Sequence, residues 1–323
     1  MKKVSAIVFS DLHINQWAKF NQDNIRTLNH FKVLSLVKEL CNKYKCQGIF
    51  CGDLFHKPEL ITNDLFEIII REFNKLNDGS WNLFCISGNH DMSKTNSIGN
   101  KSSSWISSFS KIYKFITCID FRAAEFGDII IHGIPYLDHN IGLTKWVKEI
   151  PIVNDKKNIL LIHTDYPGAK DTDDVEVGSV ENININSFFK FDLVLCGHIH
   201  KPQRLSKKVY MVGAPLQQRR TDKNCELGYW KLYSDLSMEF IPFTKFPKFI
   251  DVSSEEYVKD DGNYYTIINK PIIDDKETKE HNITLDLSNK KLVSGYFKAK
   301  GIKDRNRKKL LVDLINECDD RIH

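Results

Sequence analysis

Five short polar motifs, each closing a short apolar run, constrain this chain more than any other feature. Asp11-Leu12-His13 follows Val4–Phe9, and Gly52-Asp53 follows Gln47–Cys51. Gly88-Asn89-His90-Asp91 follows Trp81–Ile86, His163 follows Asn158–Ile162, and Gly197-His198-Ile199-His200 follows Asp192–Cys196. Apolar runs of this length bounded by turn residues read as buried strands. Open α/β sheets place their ligand sites at the carboxyl ends of strands. Five such ends carrying Asp, Asn and His describe one shared site, with Asp53 at its middle. Any one motif alone is explained by a capped turn; the ordered set is not.

Between these runs the pattern is helical. Ile25–Tyr44 carries Leu28, Phe31, Leu34, Leu36, Val37 and Leu40, and Asn63–Asn77 carries Leu65, Phe66, Ile69, Ile70 and Phe73. Strand–helix alternation of this kind implies a mostly parallel sheet with helices on both faces. A loop is expected over 93–104, a short helix over 104–110, two or three strands from Ile116 to Ile134, and a helix over 141–149. Acidic residues 171–181 read as a surface loop. Strands at Val209–Val212, Gly228–Tyr233 and Leu236–Ile241 are expected to close a second sheet. Pro242–Pro247 is the candidate linker, giving domains 1–245 and 246–323. The second is a small α+β unit with strands near Tyr264–Ile268, Ile283–Leu287 and Leu292–Phe297 and a final helix over Lys303–Arg321.

Composition excludes several classes. At 323 residues and a net charge of +4, the chain is large enough for a sizeable core and not basic enough for charge alone to imply nucleic acid. The eight cysteines are scattered, with Cys51, Cys85 and Cys196 ending apolar runs, as reduced core thiols do. Cys41 and Cys46 lack a second pair that would make a zinc site. The run Val4–Phe9 is too short for a signal peptide, and nothing approaches the ~18 apolar residues of a membrane span. A cytoplasmic protein is expected, in the host's cytoplasm if the chain is phage-encoded.

The motifs specify their own chemistry. Two divalent ions ~4 Å apart repel by ~17 kcal/mol even at an effective dielectric of ~20, so a bridging anion is required. Asp53 is the natural bridge, with a shared hydroxide as the second. Asp11, His13 and His200 would complete one ion, and Asn89, His163 and His198 the other. A mixed carboxylate, imidazole and amide set suits manganese, iron or zinc better than calcium, and the absence of thiolate argues against a structural zinc. Such a pair activates a nucleophile for in-line attack on phosphorus. His90, beside Asn89 but not needed as a ligand, would protonate the leaving oxygen or stabilise its charge. His30, His132, His139, His281 and His323 are read as ordinary core or surface residues.

The set Asp11-x-His13, Gly52-Asp53, Gly88-Asn89-His90-Asp91, His163 and Gly197-His198-x-His200 resembles the calcineurin-like metallophosphoesterases over residues 5–200. Within them, Gly52-Asp53-Leu54-Phe55-His56-Lys57-Pro58 is similar to the DNA-repair nuclease branch, the SbcD-type subunits and their phage, archaeal and eukaryotic relatives. Protein phosphatases carry an Asp where His56 stands. The resemblance implies a two-sheet α/β sandwich followed by a DNA-capping domain, two Mn2+ ions, and His56 orienting His90 or the DNA strand. It also implies double-strand 3′-to-5′ exonuclease and single-strand endonuclease activity in repair or recombination. Its implied partners are DNA, an SbcC-like coiled-coil ATPase and a second copy of the chain, with no membrane.

Gly213-Ala214-Pro215 and Gly228-Tyr229 continue the likeness, with Ala214 replacing the usual Ser or Thr. Thr164-Asp165-Tyr166 departs from the His-Gln that follows this histidine in several relatives. Lys201, Arg204, Lys207, Lys208, Arg219, Arg220 and Lys223 flank the last ligand segments and are candidate phosphate contacts, each also explicable as solvated surface. Two rival readings are a phosphoesterase of this fold acting on nucleotides or phosphoproteins, and a scaffold without turnover. An unused buried cluster of His and Asp would be destabilising, which argues against the scaffold.

Overall fold

The computed structural model describes residues 2–57, 59, 61–92, 104–177 and 183–268. In chain order the elements are β1 (Val4–Phe9), α1 (Ile25–Tyr44), β2 (Gln47–Phe50), α2 (Asn63–Leu76), β3 (Leu83–Cys85), α3 (Trp105–Phe109) and β4 (Ile116–Cys118). There follow β5 (Ala123–Phe126), β6 (Ile129–Ile134), α4 (Leu143–Glu149), β7 (Lys157–His163), β8 (Leu193–Gly197), β9 (Gln203–Arg204) and β10 (Val209–Met211). The last are β11 (Gly228–Tyr233), β12 (Met238–Pro242), β13 (Phe249–Val252) and β14 (Tyr264–Ile267).

Two six-stranded sheets form, in the orders β12-β11-β1-β2-β3-β4 and β5-β6-β7-β8-β10-β9. Strands β1 to β4 run parallel, as do β6, β7, β8 and β10. The two-residue period of each strand sorts its side chains into separate layers. Phe50 of β2 packs among residues of α1 and α2, while its neighbours Ile49 and Cys51 face the second sheet. In β7, Ile159 and Leu161 meet the first sheet, and Leu160 and Ile162 pack with Leu143 and Val147 of α4. The result is a two-sheet α/β sandwich with helices outside.

Two expectations are corrected. Helices do not cover both faces of the first sheet, because the inner face is buried against the second sheet. Strands β11 and β12 do not close the second sheet. They extend the first, with β11 antiparallel to β1, and this turns Trp230 and Leu232 into the layer between the sheets. Their place in the chain, directly after second-sheet strands, concealed that return.

Helix α2 starts at Thr62, whose Oγ accepts from the Leu65 amide at 3.2 Å, an N-cap that satisfies one free donor. Its buried stripe is Leu65, Ile68, Ile69, Phe73 and Leu76, and Phe66 lies outside it. Residues Met1–Ile267 form one compact unit, which includes β13 and β14. There the buried Arg26 guanidinium lies 5.3 Å from the Phe249 ring, 5.2 Å from Tyr264 and 3.9 Å from Trp17. The expected strands 283–287 and 292–297 and the helix 303–321 lie outside the described residues. Cysteines among the described residues are free thiols, and no helix among them is long and apolar enough to cross a membrane.

Phe73 is fully buried, with ring centroids 5.3–6.0 Å from Phe31, Phe109, Tyr113 and Phe115. Phe73→Ala is expected to destabilise the protein by about 3–5 kcal/mol, seen as a lower urea midpoint.

Candidate metal centre

The carboxyl ends of β1, β2 and β3 meet those of β7 and β8, and all seven residues expected as ligands arrive there. The backbone that delivers them is unusual. Asp11, His13, Asp53 and His198 have φ of 52°, 50°, 62° and 97°. Left-handed backbone costs a non-glycine residue about 1–3 kcal/mol and persists only where other contacts hold it. The amides of Asp11 and His13 donate to the Gly52 and Asp53 carbonyls at 2.9 and 3.0 Å. The buried Asp91 carboxylate accepts from Asp53 and Gly88 through Oδ2 at 2.8 and 2.9 Å. Its Oδ1 accepts from Leu54 and Phe55 at 2.9 and 3.1 Å. The sheets approach closely here, since a Cβ on Gly197 would lie 2.1 Å from the Cys51 carbonyl oxygen.

Two donor groups share Asp53. In the first, Asn89 Oδ1 lies 3.0 Å from both His163 Nε2 and His198 Nδ1, and those nitrogens are 3.3 Å apart. Asp53 Oδ2 is 3.3 Å from His163 Nε2. In the second, His13 Nε2 lies 3.1 Å from His200 Nε2 and 3.6 Å from Asp53 Oδ2, and Asp11 falls in the same cluster. His163 Nδ1–H donates to the Cys51 carbonyl at 2.7 Å, so Nε2 is the nitrogen left for a proton or a cation. Lone pairs directed at one another repel unless a cation lies among them. Edges of roughly 3.0–3.4 Å are those of donors bound to one ion at about 2.1 Å. His200 Nδ1 is buried without a hydrogen-bond partner and stands 3.9 Å from Asp222 Oδ2. The donor set fits a pair of divalent cations, with Asp53 Oδ2 facing both groups.

His56 and His90 stack at the edge of the site, ring centroids 5.4 Å apart and 7° from parallel. His90 Nδ1–H donates to the His56 carbonyl at 2.6 Å, and its amide donates to Asp53 Oδ1 at 2.8 Å. Its Nε2 is thereby the nitrogen turned to other work. His13, His56 and His90 also lie close enough to form a third trio of donors. Burial, then the His90 charge, pushes His56 down to about 4, so its ring is neutral near pH 7.

The carboxylates set the electrostatics. Burial alone would raise Asp53, but His163, His13 and His90 around it hold it well below the usual carboxylate range. Burial and the Asp53 charge raise Asp91, and its backbone amide donors and His163 oppose that rise. Burial opposes a proton on His163, yet Asp53 and Asp11 beside it raise the imidazole to about 9. Burial lowers His13 well below its ordinary value.

Asp165 was not foreseen as a contact. It meets His198 Nε2 at 3.0 Å, and that contact holds it below its usual range. No local pattern links residues so far apart in sequence. Among the basic candidates, Lys201 pairs with Asp174, and Arg220 and Lys223 with Asp251. Arg204 and Lys208 bond to carbonyls. Arg219, with 65% of its side chain exposed and 3.7 Å from Asp222, remains beside the site. His132 pairs with Asn158 at 3.0 Å and His30 with the Arg26 carbonyl at 2.9 Å, ordinary core bonds.

Comparison with known proteins gives the family. The model of calcineurin-like phosphoesterases matches residues 5–202, more than half of the chain. The chain belongs to that family, whose members are hydrolases acting on phosphoester bonds. A segment is 34% identical over 82 residues to the SbcD component of nuclease SbcCD from Staphylococcus epidermidis, covering 24% of this chain and 22% of that protein. The crystal structure of Pseudomonas putida nuclease MPE aligns with a TM-score of 0.29 at 14% identity, covering 64% of this chain and 66% of that one.

A proton on His163 and a divalent cation would compete for the same Nε2. Mn2+ affinity, measured by calorimetry, is therefore expected to rise with pH from 6.5 to 8.5, by up to about tenfold per unit from this proton alone.

Proposed function

We propose that this protein is a metal-dependent DNA nuclease that hydrolyses phosphodiesters at the carboxyl ends of its two sheets. Asp11, His13 and His200 would hold one ion, Asn89, His163 and His198 the other, and Asp53 would bridge them. A mixed set of imidazole, carboxylate and amide oxygen suits manganese, iron or zinc, and by likeness to the nuclease branch the ion would be Mn2+. Two such ions supply an activated water and charge stabilisation for the phosphoryl oxygens. The protein's own part is to align the phosphodiester and handle the leaving group. His90, anchored through Nδ1 to the His56 carbonyl, directs Nε2 to the leaving oxygen as a general acid. His56 keeps His90 in place by stacking and by that carbonyl.

The observation that carries DNA as substrate is His56. An Asp at this position would set a negative charge against a polyanionic strand, whereas the ring of His56 is neutral near pH 7. The partial match to the SbcD component of a nuclease supports the same choice. Arg219 is the candidate phosphate contact, exposed and beside His200. By this reading the protein acts as a 3′-to-5′ exonuclease and single-strand endonuclease in DNA repair or recombination. It would work as a homodimer with an SbcC-like coiled-coil ATPase, and residues 246–323 would supply the DNA-capping domain.

End-labelled linear duplex DNA incubated with Mn2+ is expected to lose nucleotides, and Asp53→Asn should abolish that loss. His90→Gln should lower kcat by about 10²–10⁴-fold while gel-shift affinity for DNA is kept. Cleavage confined to small aryl phosphodiesters, even with the ATPase added, would point to another phosphoesterase activity. Full cleavage by the His90 variant would remove His90 as the general acid, and no cleavage of any phosphoester by the metal-loaded wild type would leave a scaffold.

A further inference from the structure

Asp165 lies two residues beyond His163, at the mouth of β7. Its Oδ1 is 3.0 Å from His198 Nε2. The opposite edge of that ring, Nδ1, faces Asn89 Oδ1 at 3.0 Å and His163 Nε2 at 3.3 Å. An ionised carboxylate accepts hydrogen bonds and does not donate them, so the ring proton belongs on Nε2. The Nδ1 lone pair is then turned to Asn89 and His163. Tyr136 stacks on the ring at 6.0 Å and 28°. His198 has a φ of 97°, outside the wells that L residues prefer, so its backbone too is held by contacts rather than by its own preference.

We propose that Asp165 is a positioning residue for metal binding, fixing the tautomer and orientation of His198 at the site shared with Asn89 and His163. The proposal rests on the two-ion reading given above. Histidine ligands backed by a carboxylate gain basicity and orientation, and loss of such a partner commonly costs 10–100-fold in metal affinity. The backing differs among the four imidazoles. His163 is held by a neutral carbonyl, that of Cys51. His13 Nδ1 has His56 Nδ1 at 3.5 Å, and His200 Nδ1 has no hydrogen-bond partner, with Asp222 3.9 Å away. Asp165 therefore acts on one ion and not the other. Its side chain is 41% exposed, so its removal takes away little packing.

The test is calorimetric titration of Mn2+ into the metal-stripped full chain, with the metal-free thermal midpoint measured in parallel. The wild type should show two binding steps. Asp165→Ala is expected to weaken one step by about 10–100-fold and leave the other step and the metal-free midpoint unchanged. Asp165→Asn, whose amide oxygen still accepts from Nε2–H, should fall between the two. Wild-type affinities at both steps in Asp165→Ala, or equal weakening of both, would overturn the proposal. A lowered midpoint with unchanged binding would make the residue merely structural. A wild-type chain that takes up no Mn2+ would instead sink the two-ion reading, and this inference with it.

Discussion

Four backbone amides converge on one buried carboxylate, that of Asp91. Three of them belong to the turn after β2 and the fourth to Gly88, on the loop after β3, so the side chain ties two site loops into one body. Asp53, in left-handed backbone, donates its amide to this carboxylate, and the amides of Asp11 and His13 hang on the same turn through the Gly52 and Asp53 carbonyls. Remove that acceptor and four buried donors are left without a partner, each costing about 1–3 kcal/mol. The donor groups around Asp53 are thus as well placed as this one carboxylate is.

The charges follow from the same burial. Asp53 and Asp11 sit where a bare negative charge is costly, and the imidazoles around them supply part of the compensation. His163 responds by favouring a proton, which is what a single-charge answer to that field looks like. Divalent cations are a fuller answer, because they replace repulsion among lone pairs with coordination. His56, only partly buried, stays neutral because the pull of Asp53 does not outweigh its desolvation and the His90 and Lys57 charges.

Much of this was legible in the motifs. Short apolar runs gave the strands, and polar residues at their ends gave Asp11, His13, Asp53, Asn89, His163, His198 and His200 as one cluster. The helical spacing gave α1 and α2, although Phe66 belongs to the exposed side and Ile68 to the buried one. What remained hidden depends on contacts between distant residues. Nothing local says that β11 returns to pair with β1, that Asp165 meets His198, or that Arg26 lies between Trp17 and Tyr264. Asp91 was visible as part of Gly-Asn-His-Asp, but its task is set by amides 36 to 38 residues earlier.

The two sheets contribute to the site unequally but jointly: Asp53 and Asn89 come from one, His163 and His198 from the other. Their relative position is set by the layer of Ile49, Ile86, Ile159, Leu161 and Leu195 between them. That greasy layer is therefore a spacer as much as a source of stability. A methyl group added or removed there shifts one sheet against the other by a fraction of an ångström, and the donor edges at the far end of the strands inherit the shift. Substitutions well away from any polar residue can in this way detune the donor cluster while the chain stays folded.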